Sequence, residues 1–210
     1  MIRVLIADDH AILRRGLAQI ISEVDDMQVC AEAESGAQTI RLAREHPLDV
    51  VLLDITMPDR NGLDTLKQLK KEKPKLAVLM LSMHPEDAYA LRAIKAGASG
   101  YLNKQSAPAL LVTAIRQVAC GRRYISPAVA EALAGTIADG ADGPAHATLS
   151  NREYETMRLI ASGKTLTEIA GAMHLSVKTV SVYRARLLQK MQLRNNAELI
   201  HYAMKNQLVD

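Results

Sequence analysis

Five residues spread over nearly a hundred positions carry side chains suited to phosphoryl chemistry: Asp8, Asp9, Asp54, Ser82 and Lys104. Each falls at the end of a short apolar run. Three carboxylates in one pocket repel each other unless a divalent cation joins them, and hard oxygen ligands suit Mg2+. With Mg2+ and an ammonium offsetting that charge, one carboxylate can act as a nucleophile toward a phosphoryl group. Singly, each residue has an ordinary use: an Asp pair can open a helix, a serine can serve a loop, a lysine is usually solvated. Their order and common placement at run ends make the case.

The elements that must position them follow from periodicity. Strands are expected at residues 3–7, 28–31, 49–53, 77–81 and 100–102, with helices near 11–22, 36–45, 63–71, 86–96 and 108–120. The runs Val50-Val-Leu-Leu53 and Val78-Leu-Met-Leu81 lack alternation, as expected of strands buried on both faces. Five strands alternating with helices predict an α/β doubly wound parallel sheet. In such a sheet, chemistry gathers at the carboxyl ends of the strands, where the five residues stand.

At 210 residues the chain exceeds one ordinary domain. It has neither Trp nor Phe, so its cores must be aliphatic. No apolar run is long enough to span a membrane, and the first run, Ile2 to Ala7, is cut short by Asp8-Asp9, unlike a signal peptide. Cys30 and Cys120 lack metal or redox spacing and are expected to be reduced thiols, which predicts a cytoplasmic protein.

Ser126-Pro127 should start a helix running to about 134, and residues 135–144, rich in Gly, Ala and Asp, predict a flexible linker. Beyond it the pattern is helical. Ser150 and Glu153 form a capping box, further helices are expected near 167–173, 177–191 and 197–205, and Ser176 and Asn195 or Asn196 are placed to cap the last two. Residues 145–210 carry nine basic and five acidic residues, with no acid between Glu168 and Glu198, a stretch suited to a polyanion. Ile169, Ala170, Met173, Leu175, Val180, Leu187 and Met191 are spaced to bury one side of two crossing helices. Lys178, Ser181, Val182 and Ala185 turn away from that stripe and are the candidates for base edges in a major groove. Lys164, Thr179, Arg184 and Arg186 are the candidates for phosphate contacts.

The segments Leu-Ile-Ala-Asp8-Asp9-His, Leu-Leu-Asp54-Ile-Thr-Met57-Pro58 with Gly62 beyond, Ser82, and Gly-Ala-Ser-Gly-Tyr101-Leu-Asn-Lys104 resemble the receiver domain of two-component response regulators. The resemblance implies a flavodoxin-like receiver with Asp54 as phosphoacceptor. It implies Mg2+ held by Asp9, Asp54 and the Thr56 carbonyl with Asp8 assisting, and Lys104 against the phosphoryl oxygens. Ser82 would bond to the transferred group, and Tyr101 would repack as Ser82 moves. Gln105 stands where many receivers have proline after the lysine, which argues against a cis peptide there.

Residues 148–194 resemble the four-helix DNA-binding domain of the LuxR type, and the two halves together resemble the NarL/FixJ family. The implied organisation is a receiver at 1–121, a linker helix and flexible linker at 122–147, and a helix-turn-helix domain at 148–210. The implied function is a phosphorylation-controlled transcriptional regulator, taking its phosphoryl group from a sensor histidine kinase and binding double-stranded operator DNA as a homodimer on activation. It would be no enzyme beyond slow autodephosphorylation. Leu166 and Thr167 replace the Asn and basic residue common in the family, and a basic residue is common where Ser181 or Ala185 stands. Direct readout would then rest on small and apolar contacts. Two alternatives fit the same residues. One is a receiver with a protein-binding helical output domain. The other is a Mg-dependent aspartyl phosphatase, although such enzymes place a second acid where Thr56 stands.

Overall fold

The computed structural model describes residues 1–210 apart from Pro58, His84, Pro85, Ala107, Ala128, residues 132–143, Gln207 and Asp210, and excludes the side chains of residues 86–88. The chain divides into two compact units, Met1–Ala134 and Gly135–Asp210. Pro58 of the Met57-Pro58 turn, the end of the helix expected from Ser126, and the expected linker as far as 143 lie outside the described residues. Residues 127 and 129–131 are helical.

The first unit carries strands Ile2–Ala7 (β1), Met27–Ala33 (β2), Val50–Asp54 (β3), Ala77–Ser82 (β4) and Gly100–Asn103 (β5). Its helices are Ala11–Ser22 (α1), Gly36–Glu45 (α2), Gly62–Glu72 (α3), Glu86–Lys95 (α4) and Pro108–Ala119 (α5). All ladders are parallel and the strand order is β2-β1-β3-β4-β5. Every residue of β3 and β4 is buried, which explains their unbroken apolar runs. Burying each such Val, Leu or Met stabilises the fold by about 1.5–3 kcal/mol relative to exposure. The last of these strands' residues, Asp54 and Ser82, are the polar exceptions, each 2% exposed.

The strand order reverses between β1 and β3, so a crevice opens beyond the carboxyl ends of those two strands. Asp8 and Asp9 leave β1 into it and Asp54 ends β3 in it. Two local devices hold the loop after β3. A Cβ added to Gly62 would lie 1.9 Å from the Asp54 carbonyl oxygen, so α3 can begin this close to β3 only with glycine. Asp59 accepts hydrogen bonds from the Gly36 and Ala37 amides, each at 2.8 Å, and thereby ties the same loop to the first turn of α2. Past α5, Tyr124 lies alongside β5: its carbonyl accepts from the Tyr101 amide and its amide donates to the Ser99 carbonyl.

The second unit opens with a 3-10 turn, Ala145–Thr148, followed by Asn151–Ala161 (α6), Leu166–Ala172 (α7), Val177–Lys190 (α8) and Asn196–Lys205 (α9). The expected capping box at Ser150 and Glu153 is present, and a second one, Thr165 with Glu168, starts α7. Ser176 caps α8, and Asn195 rather than Asn196 caps α9. His174 at φ 52° makes the tight turn between α7 and α8. Of the seven residues expected to line the crossing, six are buried; Leu175, in the turn itself, is half-buried.

Candidate functional site

The crevice beyond β1 and β3 brings four of the expected residues together. The Lys104 ammonium stands 2.6 Å from Asp8 Oδ2 and 2.8 Å from Asp54 Oδ2, with all three side chains almost wholly buried. Asp9 faces them from the mouth, partly exposed, with its Oδ1 2.8 Å from His10 Nδ1. Oxygen or nitrogen atoms of Asp8, Asp9, His10 and Asp54 all lie within 4.8 Å of one another, a cluster able to hold a metal ion. Oδ2 of Asp8, Oδ1 of Asp9 and Oδ2 of Asp54 are buried without a well-angled hydrogen bond, despite their ion-pair distances. Such oxygens retain lone pairs that a cation can use.

Burial pushes the Asp54 carboxyl up to about 6. Lys104 opposes that shift, the nearby Asp8 charge adds to it, and the Thr56 amide, donating to the carboxylate, opposes it again. Asp54 is thus a basic carboxylate that remains ionised at neutral pH. Ser82 ends β4, and its carbonyl accepts from the Lys104 amide at 2.8 Å, so the main chain joins these two positions directly. Tyr101 lies on β5 opposite Met80 and is 2% exposed. Thr56 is half-buried in the loop after β3.

In the helical unit, Lys178, Val182, Ala185 and Arg186 are exposed on α8, while Thr179, Ser181 and Arg184 are half-buried; Lys164 is exposed ahead of α7. Val182 is 43% exposed, a large apolar side chain left on the surface. The basic stretch is not uniform. Lys190 binds Glu153 at 2.7 Å, and Arg184 donates from Nε to Asn196 Oδ1 at 2.7 Å. Thr179 bonds through its hydroxyl to Ser176.

Residues 4–116 match the response regulator receiver domain, and residues 147–203 match the luxR family of bacterial regulatory proteins. The chain is 35% identical over 210 residues to the response regulator UvrY of Escherichia coli, covering 99% of this chain and 96% of UvrY. It is 36% identical to the response regulator GacA of Pseudomonas aeruginosa over 212 residues, covering 100% of this chain and 99% of GacA. Among solved structures, it resembles RcsB of Salmonella enterica serovar Typhimurium bound to promoter rprA in the presence of the phosphomimetic BeF3-. That match has TM-score 0.65 and 27% identity, covering 96% of this chain and 97% of RcsB. The chain belongs to the NarL/FixJ response regulators. It joins a receiver to a LuxR-type DNA-binding domain, the architecture of phosphorylation-dependent transcriptional regulators.

Several groups around this response regulator's acidic pocket escape sequence reasoning. His10 turns its ring back onto Asp8 and Asp9 at 3.2 and 2.8 Å, and its amide donates to Asp8 Oδ1 at 2.9 Å. Arg14, one turn into α1, donates to the Asp8 carbonyl at 2.7 Å. Asn61, buried, caps α3 by accepting from the Leu63 amide at 2.8 Å. Asp59 sits below the ordinary carboxylate range: burial works against this, but the Ala37 and Gly36 amides outweigh it. The Asn-Gly pair at 61–62 was the one available signal, since such pairs mark turns and caps. Asp59 and Arg14 gave none, because their partners are fixed by the meeting of separate elements.

Proposed function

We propose that Asp54 accepts a phosphoryl group from the phosphohistidine of a sensor kinase, and that the modified chain pairs into a homodimer on double-stranded operator DNA. The observation that carries this reading is the buried Asp54 carboxylate, of raised basicity, 2.8 Å from an equally buried ammonium. An Asp54 oxygen forms the new bond to phosphorus as the donor's P–N bond breaks, its electron pair leaving with the imidazole nitrogen. Asp8, Asp9, Asp54 and the Thr56 carbonyl would hold Mg2+, and the three buried oxygens without hydrogen bonds fit a cation of that class. Bound there, Mg2+ would supply positive charge to the phosphoryl oxygens during transfer. Lys104 would exchange its contact with Asp54 for one with the phosphoryl oxygens, and Ser82 would donate its hydroxyl to them. Tyr101, buried one strand away, would report the change toward α4 and β5.

In the helical unit, α8 would lie in the major groove, with Lys178, Ser181, Val182 and Ala185 toward base edges. Lys164, Thr179, Arg184 and Arg186 would contact phosphates. A receiver at 1–121 and a DNA-binding domain from 148 would be joined by 122–147. The protein would act in the cytoplasm as a phosphoacceptor, without turnover beyond slow loss of its own phosphoryl group.

The test is Mg2+-dependent labelling by a small phosphodonor. Asp54→Asn should abolish it, because an amide is a poor nucleophile and a weaker ligand, while the circular dichroism spectrum stays unchanged. Labelling of the variant at the parent's rate would refute the assignment of Asp54.

A further inference from the structure

The receiver's positive charge gathers at the opposite end of the sheet from the acidic pocket. Residues 67–75 include five lysines and one glutamate, and that glutamate, Glu72, is already held by Arg44 through two hydrogen bonds of 2.6 and 2.8 Å. Here the end of α3, the turn before β5 and the turn after α5 surround a cavity of about 320 Å3. Lys70, Ser99, Arg122 and Arg123 line it, and among the described residues lining it there is no carboxylate.

Two glycines shape this cavity. Gly97, at φ 100°, lets the Lys70 stem cross it, since an added Cβ would lie 3.3 Å from Lys70 Cγ. Gly121, also lining it, turns the chain at φ 77°, a left-handed conformation that a side chain would strain. The Lys70 ammonium donates to the Leu76 carbonyl at 2.6 Å and to the Pro74 carbonyl at 3.4 Å, which leaves a third N–H. Ser99 Oγ accepts from the Val78 amide at 3.2 Å, so its own proton remains available to donate. Arg122 and Arg123 are exposed, and among the described residues neither has an ion-pair partner. Burial, and then the neighbouring Arg123 charge, hold the Lys70 ammonium below its usual range. Cations crowded without a counter-ion cost stability, and that cost is relieved when an anion joins them.

We propose that this cavity binds a phosphate group, whose oxygens accept from Lys70, Ser99, Arg122 and Arg123. A phosphate offers several acceptors in a tetrahedral array, and the planar fork of a guanidinium matches two of them at once. The site is separate from the phosphoacceptor. Ser99 bonds at the second residue of β4, whereas Ser82 ends that strand, a separation of roughly 13 Å at the usual rise per residue. The phosphate can come from a small oligophosphate in solution or from the backbone of duplex DNA.

The experiment is amide NMR on the full chain, titrated in parallel with inorganic pyrophosphate and with a duplex of scrambled sequence. The amides of Gly97, Ser99 and Gly121 report on the cavity and belong to the receiver, not to the basic stretch of residues 178–194. We expect them to shift saturably. Saturation by pyrophosphate assigns the site to a small oligophosphate, and a shift with the duplex alone assigns it to backbone phosphate. The double variant Arg122→Ala/Arg123→Ala, altered only at exposed positions, should bind about a hundredfold more weakly, at about tenfold for each charge-assisted hydrogen-bonding group lost. Unmoved amides with both probes, or equal shifts in the double variant, would overturn the proposal.

Discussion

Lys104 and Lys178 carry the same ammonium group under opposite conditions. Lys104 is almost wholly buried and spans two carboxylates, so its geometry is set by the fold before any ligand arrives. Lys178 lies exposed at the start of α8, beside Val182 one turn on, with no ion-pair partner among the described residues. The receiver pocket is preorganised: the Lys104, Asp8 and Asp54 charges are buried, and the ammonium lies within 2.8 Å of an oxygen of each carboxylate. The α8 surface is solvated, and a duplex meeting it would add energy through counter-ion release and groove contacts. Mutations in the first region should act steeply and together; mutations in the second should act weakly and one at a time.

The largest effect tests the preorganised side through backbone alone. Gly62→Ala places a methyl group against the Asp54 carbonyl and should destabilise the receiver by about 3 kcal/mol or more, with loss of phosphodonor labelling. In calorimetry the transition of the helical unit should stay in place while that of the receiver falls. A receiver transition unchanged by this variant would show that the loop after β3 can yield, and the contrast between the two regions would weaken.

Phosphorylation should come next in size. Pairing of two chains, as proposed, would place two α8 helices on neighbouring half-sites and raise apparent affinity without new base contacts. The full chain should bind its operator about ten- to a thousandfold more tightly once phosphorylated. Residues 145–210 alone should bind weakly, and identically with and without the phosphodonor. Fluorescence anisotropy with parallel sedimentation checks both. Unchanged affinity and oligomeric state on phosphorylation would remove avidity as the link between the two regions.

The pH dependence of the pocket is smaller and has a definite sign. The carboxyl of Asp54 titrates at about 6 in the folded receiver, against about 3.9 in an unfolded chain. Only the ionised form is nucleophilic, so labelling at limiting Mg2+ should fall about tenfold per unit below pH 6, and saturating Mg2+ should move that fall lower. Ionisation is disfavoured by folding, so the associated loss of stability is fully present above pH 6 and disappears as pH falls toward 4. Asp54→Asn should remove this pH dependence from the melting temperature. A labelling profile flat from pH 7 to 5 would contradict the buried-carboxylate account.

The smallest effects belong to α8. Arg184→Ala should weaken binding to cognate and scrambled duplexes alike, lowering the salt slope by about one unit. Because Arg184 Nε also holds Asn196, a modest loss of helical-unit stability should accompany it, whereas Arg186→Ala should leave stability unchanged. Val182→Ala should alter preference among sites with the salt slope intact. A salt-slope change from Val182→Ala, or altered preference from Arg184→Ala, would interchange their roles.

The legibility of the two units differs for the same reason. The receiver's strands were readable because doubly buried strands must be continuously apolar, and the acidic residues stood out by ending those runs. The helices of the second unit were readable from caps, since Ser150, Ser176 and Asn195 satisfy amides that no helix can satisfy internally. Lys190 and Arg184 were less legible. Both belong to a basic stretch in the sequence, but crossing helices bring Glu153 to one and Asn196 to the other.

The sequence by itself determined the order and kind of elements, the strand ends that carry Asp8, Asp54 and Lys104, and the stripe that turns one side of α8 inward. These follow from local periodicity and from the rule that parallel strands open their crevice at their carboxyl ends. Only the tertiary structure decided that Lys104 reaches both carboxylates, that Asp59 fastens the loop after β3 to α2, and that cations from α3 and the turn after α5 meet around one cavity. Each depends on distances between residues far apart in the chain. Such distances arise from packing, and no local pattern of residue types encodes them.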